Sequence, residues 1–229
     1  MSSPIKPTPS ARALGHLMCE ITESILWPSA GIPDPAFRCR VGSGQATYHR
    51  FDPHRNQHLI TYGVRMIEAK QHPDSARGWL STREILRRGY FDGEPSPLNL
   101  LAHTCCHEFA HLLQCRAGQR YRGSVHNRHF YAILDQLHLD GRALATRQAL
   151  AEQARNLGLE LADTALQLSP PKSCQSNWQP GQEVTFPTRS GPARGRILRV
   201  NRRSCTVDGA GRFQGVRYRV PLQLLQAFR

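Results

Sequence analysis

Near the middle of the chain stand His107, Glu108, Phe109, Ala110 and His111, an HExxH pattern. On an α-helix, residues i and i+4 are separated by about 40° and about 6 Å of rise, so two imidazoles so placed can close on one metal ion. Glu108 lies about 100° round the helix from His107, where it can reach water at such an ion without binding the ion. These residue types suit hydrolysis, because zinc held by nitrogen donors acidifies water and a carboxylate can take the proton. His103 and Cys115 extend the same stripe. One straight helix cannot use three successive turns, since residues eight apart are separated by about 12 Å of rise. The pair is therefore His103/His107 or His107/His111, and only the second has a glutamate directly after its first histidine. His103 is left as a supporting or surface residue, and Cys105, Cys106 and Cys115 read as small core residues.

A catalytic zinc takes a third protein ligand and keeps a fourth position open. A histidine six residues beyond His111 is absent, since position 117 is Ala. The donors within reach are His126, then His129 one turn further, then acids such as Asp135 or Glu152. Gly118 and Gly123 can act as hinges that let the following helix fold back beside the first. The group that would steady a developing oxyanion is open among Tyr62, Tyr90, Tyr121 and Tyr131.

The elements that must position these residues follow from periodicity and punctuation. Leu14, Leu17, Met18, Ile21 and Ile25 recur at helical spacing, predicting a helix over 13–26 that Trp27-Pro28 closes. Residues 36–68 read as short strands, with Phe37, Cys39 and Val41 alternating, a turn at 42–44, an antiparallel partner near Tyr48–Phe51 and a strand over 58–62. Residues 81–88 predict a short helix in which Ser81 and Glu84 are spaced as a capping box. The metal-motif helix should start at Ser96, a good N-cap followed by Pro97, and stop before Gly118. Further helices are expected from near Ser124 to Gly141, over 142–156, and in a short piece after Gly158. Residues 1–12 read as a loose tail and 169–180 as a Pro/Ser-rich linker. Beyond them come short strands around Val184, Gly195–Val200, Cys205–Val207 and Val216–Val220, a small β-barrel of about five strands.

The 229 residues include 30 Lys+Arg against 17 Asp+Glu, a net charge of +13, with 39% hydrophobic and 21% charged residues. That composition is globular, and the charge points to a polyanionic partner, nucleic acid first. Residues 180–229 carry ten of the basic residues and two acids, so eight of the thirteen net charges lie there. No apolar run approaches the roughly 20 residues of a membrane span, and the opening residues MSSPIKPTPSAR form no secretory h-region. Seven cysteines without a CxxC pair argue for a reducing, cytoplasmic setting and against both a disulfide framework and a cysteine zinc ribbon.

The pattern HEFAH followed at His126 by His-Asn-Arg-His-Phe resembles the SprT-like metallopeptidases, which include the Spartan proteases. Their signature is HExxH and then a third ligand in an H-G-x-x-F-like turn. His126 and Phe130 match that turn, and Asn127 stands where glycine is usual. The likeness spans residues 15–140, with specific motifs over 97–131. It implies His107, His111 and His126 as ligands of one Zn2+ and Glu108 as general base. The implied fold is α+β and zincin-like, with a small antiparallel sheet, including residues 58–67, over the metal helix. The implied activity is a zinc-dependent endopeptidase acting on proteins associated with or crosslinked to DNA, in the cytoplasm and on the nucleoid if the source is bacterial.

Many relatives end in a four-cysteine ribbon, whereas here a basic β module over 181–229 follows a metallopeptidase domain over 13–168. Its segment Gly195–Arg203 resembles the SH3-like domains appended to some relatives. Arg196, Arg199, Arg202, Arg203, Arg217 and Arg219 are its candidate contacts to single-stranded or duplex DNA without sequence preference. Trp178, Phe186, Phe213 and Tyr218 would either stack on bases or fill the barrel core. Arg116, Arg120, Arg122 and Arg128 form a second basic cluster. The competing reading is a non-catalytic, zinc-containing nucleic-acid-binding adaptor in transcription or repair, and a non-peptide hydrolase would use the same motif.

Overall fold

In the computed structural model the chain divides into two compact units, Met1–Ser169 and Pro170–Arg229. The structure describes residues 9–31, 37–121, 123–168, 178–188, 191–201 and 204–228. Most of the expected tail, residues 169–177 of the expected linker, and Arg122, Arg202 and Arg203 lie outside the described residues.

The first unit begins with α1 (Pro9–Ile21), which buries Leu14, Leu17, Met18 and Ile21 at 1% exposure or less. The expected stop at Trp27-Pro28 is corrected. A π turn over Thr22–Leu26 lets Trp27 N–H donate to Thr22 O, and α2 (Trp27–Ser29) carries the chain on. Pro28 is tolerated because it falls in the first turn of α2, where an amide has no intrahelical partner.

Three strands follow: β1 (Phe37–Gly42), β2 (Tyr48–Asp52) and β3 (Gln57–Gly63), in the order β1-β3-β2. β2 pairs with β3 antiparallel, but β1 pairs with β3 in parallel, so the sheet is mixed rather than antiparallel. Alternation predicts a strand without choosing its partner. The tight β2–β3 turn, where Asp52 Oδ1 accepts from His54 N–H and Arg55 N–H, takes one edge of β3 and leaves β1 the other. The strand also stops at Gly63, short of the expected 67. A Cβ there would lie 2.6 Å from Gly44 O, and α3 (Val64–Ala69) begins at the next residue.

After α4 (Pro73–Ala76) comes α5 (Leu80–Arg88), and here the expected capping box is absent. The N-cap is Trp79 and no side chain caps the helix, so Ser81 and Glu84 both fall inside it and are buried. α6 (Pro97–Arg116) carries the HExxH residues and runs as expected. Ser96 Oγ accepts from Asn99 N–H at its start. At its end Gly118, at φ +65°, allows Gly118 N–H and Gln119 N–H to donate to Cys115 O and Gln114 O. Leu98, Leu100, Leu101, Ala102, Cys105 and Cys106 are buried around the helix, so α6 is the centre of the unit. Cys115, also expected in the core, is only half-buried.

α7 (Arg128–Leu139) starts later than the expected Ser124, because Asn127 is its N-cap. The Asn127 Oδ1 accepts from His129 N–H and Phe130 N–H. α8 (Arg142–Asn156) matches expectation, but residues 159–168, where a further short helix was expected, are not helical. Leu159, Leu161, Leu166 and Leu168 instead pack against the core, with Leu98 N–H donating to Ala162 O. This layered α+β unit therefore centres on one helix enclosed by others and flanked by a small sheet.

The second unit is an antiparallel sheet of β4 (Glu183–Thr188), β5 (Gly191–Val200), β6 (Ser204–Gly209), β7 (Arg217–Pro221) and β8 (Gln226–Ala227), ordered β7-β6-β5-β4-β8. Val184, Phe186, Ile197, Cys205, Val207 and Val220 form its core. Phe186 is buried there, and Trp178, Phe213 and Tyr218 pack against it, so these aromatics serve the core rather than standing free for bases. Arg196, Arg199, Arg217 and Arg219 are exposed on the opposite face. Cross-strand register sets Arg196 opposite Asp208 and Asp208 opposite Arg217, with Arg199 and Arg219 flanking Thr206. No helix among the described residues is long and apolar enough to cross a membrane.

Candidate metal centre

The loop between α6 and α7 returns His126 to the face of α6 that carries His107 and His111. Gln114, fully buried, holds that loop: its Nε2 donates to Val125 O at 2.9 Å and to Asn127 Oδ1 at 3.1 Å. His126 Nε2 then lies 3.1 Å from His111 Nε2 and 3.2 Å from His107 Nε2. Phe130, fully buried, faces all three rings with centroids at 4.3 to 4.9 Å. The three histidines form a group able to hold a metal ion.

The protons on these rings settle how the group can act. His107 Nδ1–H donates to Glu84 Oε2 at 3.0 Å, and His111 Nδ1–H to Gln114 Oε1 at 3.4 Å. A carboxylate can only accept, so His107 carries its proton on Nδ1 and turns a bare Nε2 lone pair inward. Burial pushes His111 down to about 2 and lowers His126, so these rings are neutral, the ligand form. Converging lone pairs repel unless a cation lies between them. Two nitrogens bound tetrahedrally at about 2.0–2.1 Å to one zinc would stand about 3.3 Å apart, close to the observed spacing. The donor set therefore fits a zinc ion.

Glu108 is 6% exposed, and its Oε2 has no hydrogen-bond partner among the described residues. Burial raises its pKa, while His107, Lys70, Arg120 and a backbone hydrogen bond from His49 oppose that rise. Glu108 and the three imidazoles line one cavity of about 270 Å³.

The other sequence candidates fall elsewhere. His129 receives Arg128 Nε–H and faces Tyr121, apart from the cluster. Asp135 pairs with Arg88 and Tyr90, and Glu152 is exposed on α8. Tyr62 is fully buried against Thr22, so it cannot meet a substrate. Among the four tyrosines considered, none lines the cavity, whereas Tyr48 does.

Two residues that the sequence reading assigned elsewhere belong here, together with His103 in one of the two roles it was given. Glu84, read as half of a capping box, is buried, and its Oε2 accepts from both His107 Nδ1–H and His103 Nε2–H. Burial alone would raise its pKa, but those two hydrogen bonds hold it well below the carboxylate range. Of the two roles open to His103 the supporting one holds: it is fully buried, and its Nδ1 meets His138 Nε2 at 3.1 Å. Arg120, read as part of a basic cluster, is instead held against His49, with Nη1 3.0 Å from His49 Nδ1, and lines the cavity. For Glu84 only its spacing from Ser81 within a helical pattern was visible in the sequence, and it pointed to a cap. Glu84→Ala is expected to weaken zinc binding about 10–100-fold, measured by competition with a chelator, because His107 loses the acceptor that fixes its tautomer and orientation.

Comparison of the chain with protein-family models, curated proteins and solved structures yields no match.

Proposed function

We propose that the chain is a zinc-dependent endopeptidase of the SprT-like kind, acting on proteins held on or crosslinked to DNA. The observation that carries the reading is the set of three inward Nε2 atoms beside the unpartnered Oε2 of Glu108, all opening on one cavity. A structural site has no need of a buried carboxylate left without a partner, and it wants a fourth protein ligand. When bound, zinc would supply Lewis acidity and acidify water in the cavity.

The chain's own residues do the rest. Glu84 and Gln114 orient the two imidazoles of α6 through their Nδ1 protons. Glu108 Oε2 accepts a proton from water as it attacks the peptide carbonyl, then returns that proton to the leaving amine nitrogen. Lys70 and Arg120 favour its ionised form, which the base needs.

The second unit supplies the link to DNA in this reading. Its five strands suit a small SH3-like barrel, and its exposed arginines share one face. Replacing Arg196, Arg199, Arg217 and Arg219 together with Gln is expected to flatten the slope of log K against log salt by up to about 0.9 per lost phosphate contact on duplex DNA. Zinc content should be unchanged, and an unaltered slope places the footprint elsewhere.

The activity is tested with the purified, zinc-loaded full chain and a DNA-binding protein as substrate, with and without single-stranded or duplex DNA. Cleavage that DNA accelerates and a chelator abolishes supports the reading. An intact substrate in every arm, from protein that carries zinc, overturns it.

A further inference from the structure

The cavity at Glu108 is also lined by Lys70, Trp79, Ser81 and Thr104, of which the chemistry above uses only the charge of Lys70. Lys70 is 2% exposed. Its Nζ donates to Thr104 Oγ1 and lies 5.6 Å from the centroid of the Trp79 ring. An ammonium has three N–H donors, and this one spends one of them on a neutral hydroxyl. Burying a cation with so little compensation is costly. Burial pushes Lys70 down to about 7, and the carboxylates of Glu108 and Glu84 only partly offset it.

Two further features meet in the same place. Ser81 is 7% exposed, and its Oγ has no partner among the described residues. Ser81 also stands in the first turn of α5, a nine-residue helix whose N-cap, Trp79, offers no side-chain acceptor. First-turn amides lack intrahelical partners and carry the positive end of the helix dipole, so they favour an anion.

We propose that this end of the cavity is a carboxylate-binding subsite, in which Lys70 Nζ, Ser81 Oγ and the first turn of α5 receive an acidic group of the substrate. One ammonium and one hydroxyl match the two oxygens of a single carboxylate. The walls of Met66, Trp79 and Leu80 suit the apolar stem that carries it, and they would leave the second charge of a phosphate uncompensated. The carboxylate comes either from an Asp or Glu side chain beside the scissile bond or from a free peptide C-terminus. The subsite rests on the peptidase reading for the nature of its substrate, but not for its affinity for an anion.

The test uses the zinc-loaded full chain and peptides differing only by Glu or Gln next to the cleaved bond, each with a free or an amidated C-terminus. The parent should favour the carboxylate peptide in kcat/KM by about ten- to hundredfold, the worth of a hydrogen bond to a charged group. In Lys70→Met that ratio should fall to near one, and in Ser81→Ala, which leaves the ammonium in place, it should fall part of the way. A preference that follows the free terminus rather than the side chain assigns the carboxylate to the chain end. Calorimetry with N-acetylglutamate runs alongside: the parent should bind it and Lys70→Met should not. If no peptide is cut yet that difference in binding holds, the peptidase reading fails and the subsite stands. Equal cleavage of all four peptides, with N-acetylglutamate bound by neither protein, overturns the subsite.

Discussion

Glu108→Gln should take up zinc as the parent does and cleave its substrate about 10²–10⁴-fold more slowly, the usual worth of a general base. The amide keeps the shape of the side chain and its place on α6, so the imidazole cluster beside it is undisturbed. What it loses is the ability to accept a proton at Oε2, the buried oxygen of that side chain that has no partner among the described residues. Retained zinc with lost turnover separates a base from a ligand. Retained zinc with turnover within a few-fold of the parent removes Glu108 from the chemistry, and unfilled protein would show that the carboxylate holds the site together.

Phe130→Ala should destabilise the fold by about 3–5 kcal/mol, measured by denaturant unfolding of the zinc-free protein. Phe130 is fully buried in α7, and its ring meets His107, His111 and His126 at once, stacking on His111 at 4.3 Å. Removing the ring opens a cavity against the three imidazoles. Zinc affinity should fall together with stability, because the rings lose the wall that sets their angle. Phe130→Leu keeps most of the volume and should lose much less of both. A large loss of stability with zinc affinity unchanged would mean that Phe130 packs the helices without shaping the centre.

Much of this arrangement could be read from residue order. Ser96 and Gly118 mark the ends of the helix that carries His107, Glu108 and His111, and the structure places those ends where expected. Helix geometry puts His107 and His111 on one face because four residues make slightly more than one turn. Chain reach put His126 first, ahead of His129, Asp135 and Glu152, and the family resemblance pointed to the same residue. Alternation marked the strands of the second unit, and its excess of arginine was countable. All of these are properties of one element or of a short connection.

What lay beyond reach in the sequence shares a different character. Glu84 sits on another helix, 23 residues before His107, and its spacing from Ser81 is that of a cap. Lys70 follows α3 and meets Thr104 across 34 residues, and Arg120 meets His49 across 71. The parallel pairing of β1 with β3 is equally remote from any local signal. Periodicity specifies which face of an element is apolar, and so names the ligands that one helix and its next turn can present. It does not specify which other face will be pressed against it. That choice belongs to the packing of buried surfaces between elements distant in the chain. The groups that fix the tautomer of His107, neighbour Glu108 and line the rest of the cavity came together only when those surfaces met.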